Sequence, residues 1–363
     1  RHLAHLPRNL RSVSSPDALV LDTVGMFDAA FGLPDQMAAA VEIASAVDGL
    51  PDASKITSLL MVGMGGSGIS GDVVSLVATD HGRVPIDVSR HYELPAYVGP
   101  NTLVMAVSFS GGTEETVVAT EAAIAAGAPV VAVTTGGRLG EMVSAAGGAV
   151  CGLPDGIPLP RAAIGAVGLA PIVLATRMGL MDHTAGAVDS AIEAAAARLE
   201  ANAGFTQGTV NDARTLARRI ERTQPIIYGG GRVGELAAYR WKAQVNENAK
   251  APAYWGSVPE VCHNEICAWG QHGDVTRQVN SMVYLRHDGE HPNVSRRFDF
   301  LAQITAEVVA EIFEVRAKGD GSLANFYDLA AFGDLVSLWM AAEAGVDPGP
   351  IPAISDLKAY LAG

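Results

Sequence analysis

Met61-Val-Gly-Met-Gly-Gly-Ser-Gly-Ile-Ser-Gly71 is the stretch that decides the architecture. The apolar run at 59–62 reads as a buried parallel strand, the glycines as the turn that ends it, and residues 71–77 as a helix. A strand that feeds a glycine turn and then a helix gathers backbone N–H groups at one point, where an anion is welcome. Glycine lets the chain approach that anion closely, and Ser67 can donate to it.

Working outward, the same grammar recurs in Ser108-Phe-Ser-Gly-Gly-Thr-Glu-Glu-Thr116, which follows an apolar run at 103–107 and precedes a helix at 114–126. Ser108, Ser110 and Thr113 place three hydroxyls in six residues, more than a pyrophosphate crossing requires and well suited to a terminal monophosphate. Gly63, Gly65 and Gly68 also satisfy G-x-G-x-x-G, and Asp87 stands about 20 residues on, where a dinucleotide fold holds its ribose. The second hydroxyl loop favours the monophosphate; the nicotinamide reading stays open beside it.

Composition agrees with a parallel α/β protein. The chain has 363 residues, 49% hydrophobic but only 6% aromatic, because Ala, Val, Leu and Gly dominate. A net charge of −14 without a long Lys/Arg run argues against nucleic acid or an anionic membrane as partner. An anionic substrate must then be held by a local device. Cys151, Cys262 and Cys267 form no C-x-x-C pair and read as free structural thiols of a reducing compartment. No apolar run approaches the roughly 18 to 20 residues of a membrane helix, and Arg1-His-Leu-Ala-His lacks the apolar stretch of a leader, so a cytoplasmic protein is expected.

The pattern predicts two doubly wound α/β domains with parallel sheets flanked by helices. The first, residues 1–153, carries a helical lead-in at 22–50 and strands at 59–62, 86–88, 103–107 and 130–133. Residues 154–222 form a crossover and helical connector: 154–160 hold three prolines, Arg161 follows, and an apolar helix spans 164–178. The second domain, 223–363, opens with Pro225-Ile-Ile-Tyr-Gly-Gly-Gly-Arg232, an echo of the first glycine turn. Strands at 282–285 and 311–315 and helices at 294–302 and 323–344 complete it. A proline-rich strap then leads to a last helix at 355–361.

A second concentration of chemistry lies in Trp241-Lys-Ala-Gln-Val-Asn-Glu-Asn-Ala-Lys-Ala-Pro252 and Val258-Pro-Glu-Val-Cys-His-Asn-Glu265. Gln244, Glu247, Asn248, Glu260, His263, Asn264 and Glu265 fall within 22 positions, flanked by Trp241, Trp255 and Trp269. Any one of them alone would read as a solvated face or a cap. Together they read as an active site, with a carboxylate beside a histidine for proton transfer next to a carbonyl. No H-E-x-x-H and no zinc-type Cys/His spacing occurs, and neither serine loop is a G-x-S-x-G elbow, so neither metal, cofactor nor serine nucleophile is expected.

In their shared order these segments resemble the sugar isomerase (SIS) domain proteins, and within them the bifunctional phosphoglucose/phosphomannose isomerases. The likeness runs through residues 65–71 and 108–116, Arg161, Asn246-Glu-Asn-Ala-Lys250, 259–265 and a tail lysine. It implies two SIS domains per subunit, a homodimer, and aldose–ketose isomerisation of glucose 6-phosphate, and of mannose 6-phosphate, to fructose 6-phosphate through a cis-enediolate. By resemblance Gly66, Ser67, Ser108, Ser110 and Thr113 hold the 6-phosphate, and Glu247 shuttles the proton between C2 and C1. His263, from the neighbouring subunit, helps open the ring; Lys358 sits at the ring oxygen; Arg161 stabilises the intermediate. The chain departs from the family in carrying Gly112 where Asn is frequent, and Gly349-Pro-Ile-Pro352 where a polar residue linked to the mannose epimer is frequent. The alternative is a SIS regulator that binds sugar phosphates without converting them.

Overall fold

The computed structural model describes residues 21–204 and 211–361. The chain enters through α1 (Met26–Phe31) and α2 (Leu33–Ser45). The helical lead-in expected over 22–50 is two helices, because the chain breaks at Gly32 and Pro34 sits in the first turn of the second, where its missing N–H costs nothing.

The first lobe then alternates strand and helix: β1 (Ser58–Gly63), α3 (Gly65–His81), β2 (Ile86–Ser89), β3 (Thr102–Val107), α4 (Glu114–Ala125), β4 (Val130–Val133), α5 (Gly137–Ala145) and β5 (Ala149–Cys151). The strands pair in parallel in the order β2-β1-β3-β4-β5. The chain therefore leaves β1 to one side and resumes at β3 on the other, which opens a crevice at their carboxyl ends. Both glycine and hydroxyl loops arise there.

α3 begins six residues earlier than the pattern suggests, inside the glycines themselves. Glycine is a poor helix former, but contact overrides propensity. A Cβ on Gly68 would lie 2.9 Å from the Gly63 carbonyl oxygen, and one on Gly71 2.7 Å from a Val88 methyl. The glycines let α3 lie directly on β1 and β2.

A short 3₁₀ turn at Pro160–Ala162 leads into α6 (Ile164–Arg177), followed by α7 (Ala185–Glu200) and α8 (Asp212–Ile220). The second lobe comprises β6 (Gln224–Gly230), α9 (Gly231–Gln244), β7 (Tyr254–Val258), α10 (Gly273–Val279), β8 (Asn280–Arg286), α11 (Pro292–Thr305), β9 (Ile312–Arg316) and α12 (Ser322–Glu343), with α13 (Pro352–Leu361) at the end. Its sheet is parallel, in the order β7-β6-β8-β9. The short β5 and the glycine-containing β7 are strands that the apolar-run criterion does not find.

Alternate residues along β1 face opposite cores: Leu59 and Met61 join one, Leu60 and Val62 the other. The first of these cores is continuous from the first sheet through α6, α7 and α12 to Ile227, Val283 and Leu285 of the second. α12 is buried along almost its whole length, which explains its nearly unbroken apolar sequence. Its few polar residues are therefore informative. Asp328 takes both forks of Arg198, and Asp334 serves the site described next.

Candidate active site

The two loops of the first lobe form one cradle. Phe109 N–H donates to the Ser67 hydroxyl at 3.0 Å, tying the second loop to the first. Within the second, Ser108 and Thr113 hydroxyls lie 2.9 Å apart, and Gly111 and Gly112 N–H groups donate to Ser108 and Ser110. The sequence-predicted Gly66, Ser67, Ser108, Ser110 and Thr113 thus come together at the β1/β3 crevice. Asp87, the residue of the nicotinamide reading, accepts a hydrogen bond from Tyr97 at 2.7 Å on β2.

Gly66 carries the cradle to the next group. A Cβ there would lie 3.2 Å from the Arg161 Cα and from the Pro160 carbonyl oxygen, so the cradle rests directly on the 3₁₀ turn. Arg161 itself is buried. Its Nε donates to Asn248 at 2.7 Å, and its Nη2 donates to the carbonyls of Pro348 and of Gly349, the latter at 2.8 Å. Nη1 has no hydrogen-bond partner, although it is buried; the nearest carboxylate oxygen, Glu247 Oε2, is 3.7 Å away. Burial pulls the Arg161 pKa below its ordinary value while Glu247 pulls it upward, and a guanidinium with so high a starting value stays protonated.

Glu247 stands where α9 widens into a single π turn, Val245–Ala249. Such turns cluster at functional sites because they re-aim side chains without ending the helix. Arg240, Gln244 and Asn248, spaced four apart, fall on one face toward α12. Asp334 accepts from Arg240 at 2.5 Å and from Gln244 at 3.0 Å; Arg240 also donates to the Arg161 carbonyl, and Asn248 donates to Ser337 at 2.9 Å. Burial raises the Asp334 carboxyl's pKa, and Arg240 opposes that rise. Lys250 closes the arrangement by donating to the carbonyls of Glu247 and Pro348 at 2.6 and 3.0 Å.

The dense polar group of 244–265 therefore divides. Gln244 and Asn248 orient; Glu247 remains half-exposed beside Arg161. Glu260 accepts from Asn264, and Glu265 accepts from Tyr228 at 2.5 Å, outside this network. Trp241 is a core residue whose Nε1 donates to Leu329. The side chains of His263 and Lys358 are exposed and make no hydrogen bond or ion pair with the described residues. Sequence reasoning missed Arg240, Asp334 and Ser337, and placed Lys250 within a motif without giving it a role. The signal available was the four-residue spacing of 240, 244 and 248, together with polar residues in an otherwise apolar helix.

Among the described residues no group of three His, Cys, Asp or Glu converges as a metal site, and no helix is long and apolar enough to cross a membrane. The cysteines are unpaired; burial pushes the Cys151 thiol up to about 11.

Two parallel-sheet α/β domains flanked by helices, with hydroxyl-lined loops at the switch point of the first, place the chain in the SIS class of folds. Residues 209–361 match the family described as the bacterial phospho-glucose isomerase C-terminal SIS domain. The chain belongs to the bifunctional phosphoglucose/phosphomannose isomerase family: it is 33% identical over 337 residues to the Caldicellulosiruptor bescii protein of that name, covering 93% of this chain and 99% of that one. It is also 33% identical over 314 residues to the Thermoplasma acidophilum protein of the same name, covering 86% and 92%. In fold it is similar to the C-terminal domain of glucosamine-fructose-6-phosphate aminotransferase from Francisella tularensis, with a TM-score of 0.69 at 13% identity over 90% of this chain and 98% of that one.

Proposed function

We propose that the protein is an aldose–ketose isomerase that interconverts glucose 6-phosphate, and mannose 6-phosphate, with fructose 6-phosphate, without metal or cofactor, in the cytoplasm. The observation that carries this reading is the buried Nη1 of Arg161, which makes no hydrogen bond and faces the Glu247 carboxylate at 3.7 Å, on a residue whose backbone supports the phosphate cradle. A buried donor without an acceptor is costly, and an anionic intermediate supplies one.

In this mechanism the cradle holds the 6-phosphate through Ser67, Ser108, Ser110, Thr113 and the N–H groups around Gly66. Glu247 removes the C2 proton of the open-chain aldose, and the electron pair forms the C1–C2 double bond of a cis-enediolate. Arg161 stabilises the charge that develops on oxygen. Glu247 then returns the proton to C1, and the hydroxyl proton passes from O2 to O1. One carboxylate serves both C2 epimers when the substrate rotates about C2–C3.

His263 and Lys358 lie exposed in the single chain, which supports a homodimer in which His263 of one subunit completes the partner's site and assists ring opening, with Lys358 at the ring oxygen. The first lobe is taken as 1–153, the connector as 154–222 and the second lobe as 223–363. Incubation with fructose 6-phosphate, followed by separation of glucose and mannose 6-phosphates, tests the proposal. Both epimers should accumulate; binding without product at any pH would indicate a sugar-phosphate regulator instead.

A further inference from the structure

The second lobe repeats the geometry of the first, residue by residue. Gly63 pairs with Val107 across the first sheet, and Gly229 pairs with Leu285 across the second. From those positions α3 and α9 each begin two residues on, at Gly65 and Gly231, both with left-handed φ of 53° and 60°. Gly68 and Gly234 follow three residues later, in close contact with Gly63 and Gly229 respectively. α4 and α11 begin seven residues after Val107 and Leu285. Ser108–Thr113 therefore corresponds to residues 286–291, Arg-His-Asp-Gly-Glu-His, with Glu290 at the place of Gly112.

The chemistry at that place is inverted. Where the first lobe offers hydroxyls and N–H groups, the second already holds a carboxylate. Arg286 Nε donates to both Glu290 oxygens at 3.0 and 2.9 Å, its Nη2 lies 2.8 Å from Oε2, and the His287 N–H donates to Oε1 at 3.0 Å. Both side chains are only 3% exposed. Gly230 allows the approach: a Cβ on it would stand 2.4 Å from Oε1. Arg286 is further fixed by Ser295 at 2.8 Å and by the Phe298 ring beneath it. A cleft of about 390 Å³, lined by His287, Glu290, Arg296 and Arg316 among others, opens beside the carboxylate.

We propose that Glu290 is an internal anion that occupies the second lobe's cradle in place of phosphate, so that each chain binds one phosphate group and the repeated lobe serves only as scaffold. Removing the carboxylate leaves the buried Arg286 with only the part-exposed Glu314, 3.1 Å from its Nη1, as counter-charge and with its Nε and Nη2 donors unpaired on the cradle side, and a phosphate entering from the cleft restores that pairing. This does not depend on the isomerase reading.

The test is made on the full chain carrying Ser67→Ala and Ser108→Ala, which disable the first cradle. In that background inorganic phosphate at matched ionic strength should leave Tm unchanged. Adding Glu290→Gly, the residue of the first lobe, should make Tm climb by several degrees with phosphate, and adding Arg286→Met to that variant should remove the climb. A phosphate-dependent Tm with Glu290 intact overturns the proposal, as does a folded Glu290→Gly protein indifferent to phosphate. If the Glu290→Gly chain does not fold unaided, refolding yield in phosphate against chloride gives the same reading: recovery specific to phosphate supports the internal anion, and equal recovery in both salts overturns it.

Discussion

Arg161 joins the two ends of the candidate site: its Cα lies against Gly66 of the cradle, while its Nη1 lies 3.7 Å from the Glu247 carboxylate. A displacement at either end is transmitted by one residue to the other. Gly66→Ala should therefore impair more than phosphate affinity. The added Cβ meets backbone at 3.2 Å, which cannot rotate away. We expect kcat/KM to fall about tenfold or more, with kcat reduced as well as KM raised. Gly112→Ala, whose Cβ finds nothing nearer than the Ser110 hydroxyl at 4.0 Å, should leave kcat within a small factor of wild type. Equal effects of the two changes on kcat would show that Gly66 does not couple the cradle to Arg161.

Glu247→Gln keeps the side chain's size while removing the base. Turnover should drop by a factor on the order of 100 to 10,000, the range for losing a general base, with sugar-phosphate binding retained. Isothermal titration beside the isomerase assay checks both halves. Full activity in the variant would remove Glu247 from the proton transfer.

Arg161→Lys preserves charge and loses the fork. A lysine cannot reach Asn248, the strap carbonyls of Pro348 and Gly349, and an enediolate oxygen together, so buried acceptors are left bare. The variant should lose roughly 1–3 kcal/mol of stability in denaturant titration and kcat by more than tenfold. Unchanged stability with a collapsed kcat would mean that Asn248 and the strap do not hold the guanidinium.

His287 gives a pH signature. Burial lowers its pKa below the ordinary 6.5, against the pull of Glu290, and its Nε2 lies 3.2 Å from the Gly230 carbonyl. A base whose folded pKa is depressed contributes stability that is present above 6.5 and is lost as the pH falls from there toward the folded value, because the unfolded chain takes the proton first. His287→Phe, the residue at the equivalent Phe109 position, should flatten the fall in stability below that pH by up to about 1.4 kcal/mol per pH unit, the limit for one proton. Parallel stability curves for the two proteins would place the titration elsewhere.

Strand-glycine-helix grammar made the first lobe legible, because β1, β3 and β4 are buried on both faces and read as plain apolar runs. β7 was illegible for the opposite reason: Tyr254 and Trp255 are exposed and Gly256 packs under Tyr228, so no apolar run marks it. Ser108, Ser110 and Thr113 were readable from hydroxyl density within one loop, and Gly66 and Ser67 from the glycine turn after β1. Asp334 was not, since its meaning depends on α12 meeting α9, a contact between residues 94 apart. Asn248 illustrates the intermediate case, named as part of a polar cluster yet holding Arg161 rather than substrate.

The assignment of His263 to a neighbouring subunit has its own test. If each site takes Glu247 from one chain and His263 from the other, Glu247→Gln and His263→Ala homodimers each lack a group at every site. A mixed dimer concentrates both defects in one site and leaves the other whole. Refolding the two variants together in equal amounts makes about half the dimers mixed, and one site in two of those is intact, so activity should recover to about a quarter of wild type. If native mass spectrometry finds mixed dimers and activity stays at the sum of the separate variants, His263 and Glu247 act within one chain or His263 does not act at all.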